Sequence, residues 1–294
     1  MIGSLAAGLI AAVLGASARA QQRPAILFDR SDPRAAAIER DLGKRLQGVP
    51  FDAVDVDPGR LGDPIYKGRI AAGLSAAPFV VAVGDEAASF ALDELEDETV
   101  YLAGASLVEG RLLSDGRASG MLGYSVEDVL DALPDSWRSG FGVLYAEGYE
   151  SVLQSIRVAA AKRSIKIIAR KVERRRDLAP GARALMTRAR AVWVLGDPLL
   201  ARGAGFDFLI EESLSQGVPL IGSGRWEVER GAAFCSEGAA AGIAGRAARG
   251  VLDLLSGRPA GALATGPPGV ILFNPKVASR FALRPKEGAW RAVH

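Results

Sequence analysis

Short apolar runs and amphipathic stretches alternate along the chain from residue 25 onward. Ala25–Phe28 is an unbroken apolar run of the kind buried strands show. After the polar turn Asp29–Asp32, apolar residues return at Ile38, Leu42 and Leu46, the spacing of one helix face. Ser31-Asp32-Pro33 supplies an N-cap and a first-turn proline, so a helix is predicted over Arg34–Leu46. Phe51–Val56 sets Val54 and Val56 against Asp55 and Asp57, as a more exposed strand does. Helix Ile65–Leu74, strand Phe79–Val83, helix Asp85–Leu95 and strand Thr99–Ala103 follow. The glycine-bearing stretch Leu107–Tyr124 reads as a crossing segment, and Val126–Leu133 as a short helix stopped by Pro134.

The same grammar then restarts. Ser139–Glu150 is strand, turn and helix start in one piece, with strand Phe141–Tyr145 leading into helix Glu150–Arg163. Strand Lys166–Val172, helix Leu178–Arg188, strand Ala191–Leu195, helix Ala204–Gln216 and strand Pro219–Ile221 complete it. The first and third strands begin at residues 25 and 79 in one half and 141 and 191 in the other, so the spacing nearly repeats. Regular alternation argues for an α/β fold with helices on both faces of a parallel sheet. The repeat argues for two doubly wound lobes over one large sheet. Helix Ala239–Leu255 and the tail Val270–Leu283 stand outside the repeat.

Composition narrows the chemistry. Lys+Arg 36 against Asp+Glu 34 leaves no global field to draw nucleic acid or an anionic membrane. One cysteine, Cys235, excludes an intramolecular disulfide and a cysteine-built metal site, and reads as a packed small residue. The only histidine is His294, so the usual base of a triad is missing. Ile2–Ala18 is uncharged, and Ala18-Arg19-Ala20 fits a small-residue cleavage site. Residues 1–20 are therefore expected to be a signal peptide sending the chain to the periplasm, with a membrane anchor as the alternative. No Lys or Arg precedes the apolar run, which leaves the true start of that peptide open.

In doubly wound sheets ligands sit beyond the carboxyl ends of the strands. The candidates in those loops are Asp29, Arg30 and Ser31, then Gly84, Asp85 and Glu86, then Ser106. The second half adds Tyr145, Glu147, Tyr149, Asp197, Ser223 and Arg225. Carboxylates suit an amine, the arginines a carboxylate, and the tyrosines an apolar portion, so a zwitterion or polyfunctional small molecule fits the mixture. Tight βα turns and helix caps are the plain alternative, the stronger one for Asp32 and Asp197, which precede prolines. Gly203-Ala204-Gly205 lacks the third glycine of a dinucleotide fingerprint, and there is no Walker-type motif, so no cofactor is expected. Lys162–Arg190 holds eleven Lys/Arg but no aromatic residue to stack bases, and reads as a solvated surface without nucleic-acid binding.

Several segments, in this order, carry a resemblance. They are Phe79-Val-Val-Ala-Val-Gly-Asp-Glu-Ala-Ala88, Leu133-Pro134 with Gly142-Val-Leu-Tyr145, and Val218-Pro-Leu-Ile221. Leu254-Leu-Ser-Gly-Arg-Pro259 and Asn274-Pro-Lys-Val-Ala-Ser-Arg-Phe-Ala-Leu283 complete the set. From Pro24 to Leu283 the chain resembles ABC transporter substrate-binding proteins of the type I periplasmic binding fold, in the branch that includes binders of aromatic amino acids. The resemblance implies two lobes joined by three crossovers, residues 21–122 plus 238–264 and 123–237 plus 265–294, closing on a solute. It also implies a non-enzymatic monomer that delivers a small molecule, an amino acid or related compound, to ABC permease subunits. A ligand-sensing accessory protein and a carboxylate-based enzyme are the alternatives. The Tyr145–Tyr149 turn is expected to face Asp29–Asp32 across the cleft. Gly84-Asp85-Glu86 replaces the family's common Gly-Thr/Ser turn, Gly196-Asp197-Pro198 departs from its second-lobe loop, and Gly222-Ser223-Gly224-Arg225 replaces a Ser-Asp-rich segment. The ligand's identity therefore does not carry over.

Overall fold

The computed structural model describes residues 23–96, 98–110, 113, 118–259, 261–285 and 290–293. The expected signal peptide and His294 lie outside the described residues. The strands assemble into two sheets. The first contains β1 (Ala25–Phe28), β2 (Asp52–Asp55), β3 (Val80–Val83), β4 (Val100–Ala105) and β5 (Ala118–Leu122), in the order β2-β1-β3-β4-β5, all parallel. β1, β3 and β4 are buried along their whole length, which is why their sequences are continuous apolar runs. β2 lies at the edge and is mostly exposed, matching its alternation.

The second sheet contains β6 (Phe141–Ala146), β7 (Ile167–Val172), β8 (Ala191–Val194), β9 (Leu220–Ile221), β10 (Phe234–Gly238), β11 (Gly269–Phe273) and β12 (Trp290–Ala292). Their order is β12-β11-β10-β9-β8-β6-β7. Every pairing is parallel except β10 with β11. The architecture is thus α/β with two parallel-sheet lobes.

Helices α1 (Pro33–Arg45), α2 (Pro64–Leu74), α3 (Asp85–Glu94) and α11 (Ala240–Leu255) belong to the first sheet. Ile38 and Leu42 of α1 share a fully buried cluster with Ile243, Ala244 and Ala247 of α11, so the chain's long late helix packs back on its first one. The second sheet carries α4 (Val126–Ala132), α5 (Asp135–Arg138), α6 (Glu150–Ala161), α7 (Arg175–Met186), α8 (Pro198–Ala201), α9 (Gly203–Gln216), α10 (Arg225–Arg230) and α12 (Pro275–Arg280).

The chain passes between the sheets after β5, returns after β10 into α11, and passes again before β11. The last passage is held to the first sheet by Ala264, which bridges Met121 and exchanges hydrogen bonds with Gly120 and Leu122.

Four strands, β5, β10, β11 and β12, differ from the sequence reading, as do the short helices α5, α8, α10 and α12, which it did not contain. The crossing segment Leu107–Tyr124 contains β5, concealed by Gly120, whose φ of 110° and contact with the Leu102 backbone only glycine accommodates. β10 and β12 have no periodic signal long enough to announce a strand and exist because β9 and β11 pair with them.

Candidate functional site

A cavity of about 730 Å³ opens between the lobes at the carboxyl ends of the strands. Its first-lobe wall comes from the loops after β1 and β3 and from Ser106 after β4. Its second-lobe wall comes from the start of α10, the end of β10, the start of β11, and Arg291 on β12. Six of the sequence-predicted residues meet there: Asp29, Gly84, Asp85, Glu86, Ser106 and Arg225.

Local chemistry fixes each one. Asp29 is buried and accepts from the Ser31 amide at 2.7 Å and the Ser31 hydroxyl at 2.6 Å, so Ser31 orients the carboxylate without lining the cavity. Asp32 caps α1 by accepting from the Arg34 amide at 2.8 Å. Gly84 is the N-cap of α3 with φ 81°, and Asp85 and Glu86 occupy that helix's first turn, where acidic side chains are favoured. Asp85 accepts from the Ser106 amide and, at 3.0 Å, from the Leu107 amide. Burial raises the Asp85 pKa, against the two amides and the Arg34 and Arg202 charges that lower it. Glu86 pairs with Arg202 at 3.5 Å, and Arg225 with Glu237 at 3.7 Å. The Ser106 hydroxyl has no hydrogen-bond partner among the described residues, although only 5% of the residue is exposed.

The remaining predicted residues lie elsewhere. Arg30 is exposed on the outer side, bonded through its amide to Asp55 at 2.9 Å. Ser223 is buried and donates to the Val194 carbonyl at 2.9 Å. Tyr145 packs against the core, and Glu147 pairs with Lys171 at 3.4 Å.

Tyr149 and Asp197 hold a clasp. The segment leaving β4 crosses onto the second lobe, where the Val108 amide donates to the Gly196 carbonyl at 2.7 Å. The Gly110 amide donates to Asp197 Oδ2 at 2.7 Å. The buried Tyr149 hydroxyl lies 2.9 Å from the Val108 carbonyl and 2.5 Å from that of Gly196. Gly110 and Gly148 meet backbone to backbone, and Gly196 meets Ser106 in the same way, so a Cβ at any of the three would overlap a carbonyl. The Tyr145–Tyr149 turn thus faces Val108–Gly110. Asp29–Asp32 faces α10 and the β10–β11 edge.

The sequence reading did not single out Arg34, Glu227, Glu229, Glu237 or Arg291 for this region. Arg34 and Glu229 carry no local motif that marks them. Glu227 lies just behind the cavity wall, with 3% exposure, and its Oε2 approaches Gly224. Burial pushes its pKa up to about 8, with the Asp85 charge adding to the rise and the backbone N–H groups of Glu227, Gly224 and Ser223 opposing it. Among the described residues Trp226 is the one aromatic side chain on the cavity wall, tilted against Phe206 at 5.4 Å and 39% exposed. The walls therefore offer carboxylates, guanidinium groups and backbone N–H groups alongside apolar surface from residues such as Val83, Trp226 and Val270. Among the described residues no cluster of His, Cys, Asp or Glu is arranged to hold a metal ion.

No protein-family model matches the chain, and no curated protein does either. Solved structures do match it in fold. One is a domain of an ABC protein from Streptococcus pneumoniae, solved with L-Trp: 18% identity, 91% of this chain and 97% of that one covered, TM-score 0.55. A second is a ligand-free, open substrate-binding protein with adhesive properties from Clostridium difficile: 16% identity, 92% and 99% covered, TM-score 0.55. A third is a conserved domain protein from Vibrio cholerae: 17% identity, 92% and 99% covered, TM-score 0.53. The fold is that of type I periplasmic binding proteins.

Proposed function

We propose that this chain is an extracytoplasmic solute-binding protein that captures a small molecule between its lobes and delivers it to the permease of an ABC importer. The observation that carries the reading is the interlobe cavity of about 730 Å³, placed where the strands of both sheets end and lined by charges of both signs. Its volume is within the range of small-molecule sites. The lobes are inferred to be residues 21–122 plus 238–264 and 123–237 plus 265–294. Asp29, Gly84, Asp85, Glu86, Ser106 and Arg225 are the inferred ligand contacts, and no catalytic step is assigned to them.

Secretion through residues 1–20 into the periplasm completes the proposal. It is compatible with the described residues, where no helix is long and apolar enough to cross a membrane. An amino acid or related polar compound suits the cavity. Kinship with the aromatic-amino-acid branch receives less support, since Trp226 is the single aromatic on the wall among the described residues.

Thermal-shift screening of amino acids and related solutes, followed by calorimetry, tests the reading. A ligand at 100 times its Kd adds about 2.7 kcal/mol of stability. A folded protein that shows no shift across a broad solute library refutes it.

A further inference from the structure

Arg34, which the sequence did not suggest, donates to three backbone carbonyls at the lobe junction. Its backbone is fixed in the first turn of α1 by the Asp32 cap and Pro33. From there Nη2 donates to the Gly123 carbonyl at 2.7 Å and to the Gly238 carbonyl at 3.2 Å, while Nη1 donates to the Gly104 carbonyl at 3.4 Å. Gly123 follows β5 on the first passage between the lobes, and Gly238 ends β10 at the second. The two passages are also bonded to each other, Gly238 N–H donating to the Gly123 carbonyl at 2.8 Å. One planar guanidinium in the first lobe thus gathers the end of β4 and both passages, a task its rigid fork suits and a flexible ammonium does not.

Two further facts separate this from ordinary packing. Arg34 lines the interlobe cavity, and its charge acts on Asp85, which lines the same cavity. Among the described residues its Nε is buried without a partner and no carboxylate salt-bridges it, so its donated hydrogen bonds there run to the three carbonyls. The fit is tight as well. A Cβ at Gly123 would stand 2.5 Å from the Gly104 carbonyl and 3.1 Å from Arg34 Nη1.

We propose that Arg34 is the positioning residue of the clamp: it sets the angle between the lobes and links whatever occupies the cavity to the two hinge passages. This positioning role depends on the two-lobe architecture and is testable whether or not a solute is found.

The experiment places spin labels at Ile65→Cys and Val158→Cys, exposed positions on α2 and α6 in opposite lobes. Cys235 is fully buried and stays unlabelled in the folded protein. Electron–electron resonance distances are compared for the parent, Arg34→Met and Arg34→Lys, with Arg183→Met as a surface-arginine control. The parent should give one dominant distance. Arg34→Met should lower the ratio of that population to the rest about tenfold, the effect of a 1.4 kcal/mol loss. Arg34→Lys should fall between, and Arg183→Met should match the parent. If Arg34→Met does not fold, Arg34→Lys and Gly123→Ala, whose Cβ would stand 2.5 Å from the Gly104 carbonyl and the Ser106 hydroxyl and 3.1 Å from the guanidinium, decide. Distributions in folded Arg34 variants that superimpose on the parent overturn the proposal. Failure of every Arg34 and Gly123 variant to fold also overturns it, because Arg34 is then a core requirement and not a positioning residue.

Discussion

Glu227→Gln should stabilise this protein, and by more as the pH rises. The Glu227 carboxyl is held at a pKa of about 8 in the fold, against 4.5 for the free side chain. Because the folded value is the higher one, the folded protein keeps the proton at pH values where the unfolded chain has released it. Below about pH 4.5 the carboxyl is protonated in both states and contributes no penalty. Between 4.5 and 8 each unit of pH removes about 1.4 kcal/mol, and above 8 the loss levels off. Integrated, the penalty is about 1 kcal/mol at pH 5, about 3 at pH 7 and between 4 and 5 at pH 9, as orders of magnitude. Glutamine keeps the size and one acceptor oxygen for the Ser223, Gly224 and Glu227 amides but cannot ionise. Urea unfolding of both proteins from pH 5 to 9 measures the difference directly. The gap should widen steadily up to pH 8. A gap independent of pH would refute the reasoning, since it would mean that the buried carboxyl titrates alike in both states. Asp85, raised in the same direction, would reinforce the trend in the parent.

Three other outcomes follow from the clasp and the core. Tyr149→Phe removes the buried donor to the Val108 carbonyl and should cost about 1–3 kcal/mol in urea unfolding; an unchanged midpoint would count against the clasp. Gly148→Ala imposes a φ of 88° on alanine and drives its Cβ into the Gly110 carbonyl. It should destabilise by at least about 2 kcal/mol while the control Gly62→Ala, in open space, shows no such loss. The Cys235 thiol, fully buried and with its pKa pushed well up by that burial, should not react with a thiol reagent until the protein unfolds. Labelling of the native protein within minutes would refute that placement.

Much of the fold was legible because burial on both faces leaves a plain record. Ala25–Phe28, Val80–Val83, Phe141–Ala146 and Ala191–Val194 are apolar throughout, and each proved an interior strand. β5 and β12 escaped because glycine and brevity erase the pattern, and their backbone bonds come from partners such as β4 and β11. The site divides along the same line. Asp29, Gly84 and Asp85 were readable from their place directly after strands. Arg34 was not, because what defines it is a pair of carbonyls 89 and 204 residues away. Tyr149 and Asp197 sit in the expected loops but serve the segment after β4. Nothing in their own sequence says that this segment crosses over to meet them.

The bond from Gly238 to Gly123 bears on how the lobes can move at all. Three independent linkers would let two bodies swing, slide and twist. Here two of the three are tied together side by side, as in a narrow ribbon, and the third is pinned beside β5 through Ala264. A ribbon bends easily across its flat face and resists bending in its plane. With the segment after β4 also clasped to the second lobe through Val108 and Gly110, relative motion is reduced toward a single rotation about the ribbon, so opening and closing should retrace one arc.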